Sequence, residues 1–172
     1  TVVLRGVNLG LWLSRSYWGL NINSTNNRND NTRYSDVNNI QMNYELHNNV
    51  NIQNYAKQNG KSVNEVVNEL NEIFYDNFIT SYDLDIISDM GANVVRVPLE
   101  WSYFVDVDFE GKNLKYEWDF TSARPFFSKR LNRLDWLVEE CGKRGIYVIF
   151  DIHVAEGGLN RAGYRKNPIF FT

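Results

Sequence analysis

At 172 residues the chain is about one domain long, and its 43% hydrophobic and 15% aromatic content is above that of disordered chains. A net charge of −3 with scattered basic residues argues against a nucleic-acid partner, and no apolar run nears the roughly 18 residues of a membrane span. The single cysteine, Cys141, excludes an internal disulfide and reads as a small buried hydrophobe inside a helix.

Thr1–Leu4 is a short apolar run that predicts a strand, with a glycine-punctuated turn over Arg5–Gly10 and loop residues around Trp12 and Trp18. No initiator Met and no signal-peptide pattern precede it, as expected of a mature or trimmed product. Residues 21–60 change character, with fourteen Asn among forty residues. Asn favours turns, so this stretch reads as a surface insertion with one short helix near Ile52–Gln58, its Asn content a compositional bias rather than chemistry. His47, inside it, is given no role.

Ser62, with Glu65 three residues on, has the form of a capping box. Val63, Val66, Val67, Leu70, Ile73 and Phe74 then recur at helical spacing. Thr80 with Asp83 repeats the capping pattern, Leu84, Ile86, Ile87 and Met90 give a second helix an apolar side, and Gly91 is its expected stop. Asn93–Leu99 is a β-branched run, apolar on both faces except for Arg96, which suits a strand buried between two layers. A loop from Glu100 to about Thr121 precedes a helix striped by Leu131, Leu134, Leu137, Val138 and Cys141, with Gly142 and Gly145 near its end. Lys129, Arg130 and Arg133 are expected on its solvated face. Ile146–His153 is the third strand, with its polar residues at its C-terminal end.

Strands alternating with helices imply a parallel sheet with right-handed crossovers. In parallel α/β barrels the site lies at the C-terminal strand ends. Three ends carry polar or aromatic side chains here: Asn8 with Trp12 beyond it, Arg96 with Glu100 and Trp101, and Asp151 with His153. Residues two apart share a strand face, so Asp151 and His153 point the same way and Arg96 is expected to meet them. The bland alternatives are an ion-pair partner for Arg96 and a satisfied Asp151–His153 pair. A phosphate-binding enzyme is disfavoured, because no glycine-rich loop ending in Lys-Ser/Thr is present.

Three segments in order resemble glycoside hydrolase family 5. They are Arg5–Gly10 with Trp12 and Leu13, Phe78 through Met90–Pro98, and Leu134–Trp136 through Gly145–His153 with Gly157, Gly158 and Asn160. Glu156 and Leu159 depart from the family, which often shows Pro and Gln there. The resemblance implies an α/β fold, the N-terminal portion of a (β/α)₈ TIM barrel with about three β/α units. A complete barrel takes about 250 residues. On this reading residues 1–172 are part of one catalytic domain, with the Asn-rich insertion at about 21–60. The implied activity is retaining hydrolysis of a β-glucan-type polysaccharide or oligosaccharide. The acid/base and nucleophilic Glu of such enzymes belong to the fourth and seventh strands, so the catalytic pair is expected outside this chain and the remainder of the barrel is its expected partner. Arg96 and His153 are then supporting residues, and Trp12, Trp101, Asp151, His153 and Asn160 are candidate sugar contacts. The resemblance implies no metal, no organic cofactor and secretion. The alternative is a truncated barrel that binds carbohydrate or acts as a scaffold without hydrolysis.

Overall fold

The computed structural model describes residues 2–14, 46–104 and 130–154. Three strands, β1 (Gly6–Asn8), β2 (Val94–Glu100) and β3 (Tyr147–Val154), form one parallel sheet in the order β1-β2-β3. Helices α1 (Val50–Gln58), α2 (Val63–Phe78) and α3 (Ser81–Asp89) precede β2, and α4 (Leu131–Lys143) precedes β3.

The first strand begins later than the Thr1–Leu4 run suggests. Val2, Val3 and Leu4 are exposed, and pairing starts at Gly6 opposite Val94. The cause is tertiary. Asn93 accepts from the Arg5 N–H through Oδ1 at 2.8 Å, and its own backbone N–H donates to the Arg5 carbonyl at 2.8 Å. Its carboxamide also donates to the Val3 carbonyl at 2.9 Å, so one side chain sets the entry of β1 beside β2. At Gly6 a Cβ would lie 2.4 Å from the Val94 carbonyl oxygen, closer than any side chain tolerates.

Asn also has a structural use in the stretch read as compositional bias. Asn49 caps α1, with Oδ1 accepting from Asn51 N at 2.9 Å and Ile52 N at 3.3 Å, which starts the helix two residues before the expected Ile52. His47 is buried, with Nε2 3.2 Å from Asn64 Oδ1. Ala56 of α1 is buried and α1 packs on α2.

The Ser62–Glu65 capping box forms as expected: Glu65 N–H donates to Ser62 Oγ at 3.2 Å, and Ser62 N–H donates to Glu65 Oε2 at 2.7 Å. At α3 the Thr80 N–H and hydroxyl both donate to Asp83 Oδ2, at 2.8 and 2.7 Å. The helix faces differ from the periodicity reading. In α2 the buried positions include Val67, Asn71 and Tyr75, four residues apart, while Leu70 and Ile73 are exposed. In α3 Leu84 and Ile87 are buried but Ile86 and Met90 are not; in α4 Leu134, Leu137 and Cys141 are buried but Leu131 and Val138 are not. Each apolar stripe is wider than the helix face its neighbours cover, so its edge residues stay in solvent. Gly91 and Gly145 end α3 and α4 at φ +76° and +67°, where a Cβ would be strained.

Val95, Val97 and Leu99 of β2 face the helices and join Leu9, Trp12, Leu13, Tyr75, Leu84, Leu137 and Cys141 in one core. Burial pushes the Cys141 thiol up to about 11, so it is a packing residue with little thiolate near neutrality.

Arg130 and Arg133 do not lie on a solvated face, contrary to the sequence reading. Arg130 is 3% exposed and its guanidinium donates to Glu72 at 2.7 Å. Arg133 reaches Glu72 at 3.1 Å, Asp76, and the Tyr103 hydroxyl at 2.7 Å. Both guanidiniums sit about 5.5 Å from the Tyr75 ring. Carboxylates on α2 and tyrosine faces replace water around these charges, which is why they are tolerated inside. Lys129 lies outside the described residues.

Burial pushes the Glu72 carboxyl up, but the Arg130 and Arg133 guanidiniums outweigh it and hold the group below its ordinary value of 4.5. A depressed folded-state value stabilises the fold at pH above the unfolded value, and that contribution is lost as pH falls through the folded one. Glu72→Gln should therefore flatten the acid limb of a stability-versus-pH curve, measured by urea unfolding between about pH 5 and 2. An unchanged acid limb would contradict this assignment.

Candidate functional site

Alternation along the strands places Asn8, Arg96, Asp151 and His153 on the sheet face opposite the helical core. β1 and β2 are in register with Asn8 beside Arg96, and β2 and β3 with Pro98 beside Asp151. The long Arg96 side chain links the three strands. Its Nη1 donates to Asn8 Oδ1 at 3.1 Å and its Nη2 donates to Asp151 Oδ2. Nη2 also lies 3.1 Å from His153 Nδ1, and that nitrogen is 3.0 Å from Asp151 Oδ2.

The expected convergence of Arg96, Asp151 and His153 is present, and the two bland pairings are present with it. The ion pair and the carboxylate–histidine contact are parts of one network. The side chains are not buried: Arg96 is 39% exposed, Asp151 30% and His153 46%. They stay open to a ligand while the pairing holds their positions. His153 Nδ1 serves one neighbour at a time. With a proton it donates to Asp151; without one it accepts from Arg96, and Nε2 then carries the hydrogen.

The sequence places Asn8 at a polar strand end but does not by itself make it a site residue. Its register beside Arg96 is a pairing property that one strand does not reveal. Glu100, the last residue of β2, is fully buried beyond a register irregularity at Leu99/Glu100. Trp101 follows in a 3₁₀ turn (Trp101–Tyr103) and is half-buried at the C-terminal end of β2, close in sequence to the site. Trp12 is elsewhere: its side chain has no exposed surface, its indole N–H donates to the Tyr75 carbonyl at 2.7 Å, and its ring meets Trp136 edge-on at 6.4 Å. The expectation of a sugar contact at Trp12 is corrected to a core position, because Tyr75 of α2 takes its indole N–H and Trp136 of α4 packs on its ring. Asn160 and Glu156 lie outside the described residues. Among the described residues, no group of three His, Cys, Asp or Glu is placed to hold a metal.

A parallel sheet whose polar strand ends share one face is what the family resemblance implies, and sequence comparison decides the matter. The family model for cellulase (glycosyl hydrolase family 5) matches residues 56–170, about two thirds of the chain. The chain belongs to glycosyl hydrolase family 5. The family implies a (β/α)₈ barrel, and the three parallel strands with their helices are consistent with part of such an α/β fold. This glycosyl hydrolase family 5 chain is also similar to a β-xylosidase from Phanerodontia chrysosporium, 31% identical over 96 residues. That match takes in 54% of the chain and 17% of the relative, so the chain spans a small part of the protein it resembles.

Proposed function

We propose that this chain forms the first three β/α units of the (β/α)₈ barrel of a retaining glycoside hydrolase acting on a β-linked glycan. The observation that carries the reading is the meeting of Asn8, Arg96, Asp151 and His153, from three successive parallel strands, on the face away from the helices. The open side of the sheet supports it too. Among the described residues β3 pairs only with β2, and Tyr147, Ile149, Phe150 and Ile152 are exposed across its two faces. Such an edge calls for further strands and helices to cover it.

In this reading Arg96 faces a nucleophilic carboxylate supplied by a later strand and keeps it ionised, since a nearby cation favours the charged form. Asp151 and Asn8 hold the guanidinium in place. With Nδ1 engaged, Nε2 is the ring nitrogen of His153 left to meet a sugar hydroxyl. Trp101 offers an aromatic face to a sugar ring and Asn160 adds polar contacts. The acid/base and nucleophilic carboxyl groups, about 5–5.5 Å apart in a retaining enzyme, come from strands outside this chain. Secretion belongs to the same reading, because a polymeric glycan is met outside the cell.

The test is product analysis by chromatography with the full-length protein on cello-, laminari-, manno- and xylo-oligosaccharides. Release of shorter sugars with the β configuration kept at the new reducing end supports the reading. Binding without release would replace it with the non-catalytic carbohydrate-binding alternative. Neither binding nor release would end both.

A further inference from the structure

A cleft lies on the helix side of the sheet, between the end of α2, the start of α3 and the first turns of α4. It is a half-open hollow of about 460 Å³, within the range of about 300–1,000 Å³ common for small-molecule sites. Its accessible wall combines half-buried Trp136 and Ile79 with Asp76, Thr80, Asn132 and Arg133. Trp12, which also lines the cleft, meets Trp136 edge-on with ring centroids 6.4 Å apart.

The charge state of the wall selects the ligand class. Arg133 is 12% exposed and its donors are engaged by Asp76, Glu72 and the Tyr103 hydroxyl, which leaves it unsuited to anchoring a phosphate or carboxylate. Asp76 is already neutralised by Arg133, which weakens any pull on an ammonium ligand. Its carboxylate is nonetheless 61% exposed and remains an acceptor, the Asn132 carboxamide is exposed, and the Thr80 oxygen has lone pairs to accept with. An apolar ring face bordered by uncharged or neutralised hydrogen-bonding groups matches a neutral polyhydroxyl ring.

We propose that this cleft is a second carbohydrate site, separate from the strand-end cluster, in which one sugar ring lies on Trp136 and hydrogen-bonds to Asp76 and Asn132. It stands on the opposite sheet face from Arg96 and needs no residue of that cluster. The experiment is ¹⁹F NMR of the full-length protein labelled with 5-fluorotryptophan, titrated with cellobiose and with xylobiose. Trp136→Phe assigns the resonance.

A saturable shift of the Trp136 signal in the millimolar range is expected. Asn132→Ala, which alters only an exposed side chain, should weaken it about five-fold. Arg96→Met should leave it unchanged. The proposal is overturned if neither disaccharide moves the signal up to about 100 mM, if Arg96→Met abolishes the shift, or if tetramethylammonium shifts it and the sugars do not. Loss of this response alone leaves the strand-end reading intact. Absence of hydrolysis alone leaves this site intact.

Discussion

Under the proposed glycosidase function, Arg96→Met is expected to lower kcat/KM of the full-length protein on a β-linked glycan by about 10²–10³-fold, an energy of roughly 2.7–4.1 kcal/mol. Arg96 donates to Asn8 and Asp151 and stands within 3.1 Å of His153, so removing it frees three side chains on the two strands that flank its own. The cation beside the proposed nucleophile is lost, and a shift of about 1 Å in the groups it positions can alone cost about 10²-fold. The cost to stability is much smaller, about 1 kcal/mol or less, because a part-exposed ion pair is screened by water. Arg96→Lys keeps the charge without the planar fork and should fall between wild type and Met. Steady-state kinetics paired with urea unfolding checks both quantities. A loss of activity under tenfold, or one no larger than the loss of stability, removes Arg96 from the site.

Trp12→Ala destabilises the fold by about 3–5 kcal/mol, the range for removing a large buried aromatic. The indole has no solvent exposure, packs among Leu9, Leu13, Tyr75 and Leu137, and donates its N–H to the Tyr75 carbonyl. Trp12→Phe refills part of the volume but removes the indole hydrogen bond, at about 0.5–1.5 kcal/mol beyond the lost packing. Denaturant unfolding at two wavelengths measures both. If Trp12→Ala were to cost under about 1 kcal/mol while raising KM, Trp12 would be a sugar platform after all.

Much of the framework was legible from residue order. The alternation of β-branched runs with capped amphipathic helices carried the parallel α/β class, and period-two spacing put Asp151 and His153 on one face. The Ser62–Glu65 cap and the Gly91 stop were readable because they are local: the groups that satisfy them lie within a few residues. The depth of each helix face was not. Leu70 and Ile73 fit the apolar pattern of α2 yet are exposed, whereas Asn71 is buried, because the neighbouring elements decide which part of a broad stripe is covered.

Three further features come from contacts between residues far apart in sequence. Arg130 and Arg133 are ordinary surface cations until Glu72 and Asp76, on a different helix, surround them. Asn8 becomes part of the site only through its register with Arg96. Trp12 follows a strand end as a site residue would, and only its contacts with Tyr75 of α2 and Trp136 of α4 hold it inside. Local backbone preference and side-chain period thus determined which elements form and which strand ends carry polar groups. The tertiary structure decided which of those groups meet, because burial and pairing belong to surfaces built by several elements at once and no single segment contains them.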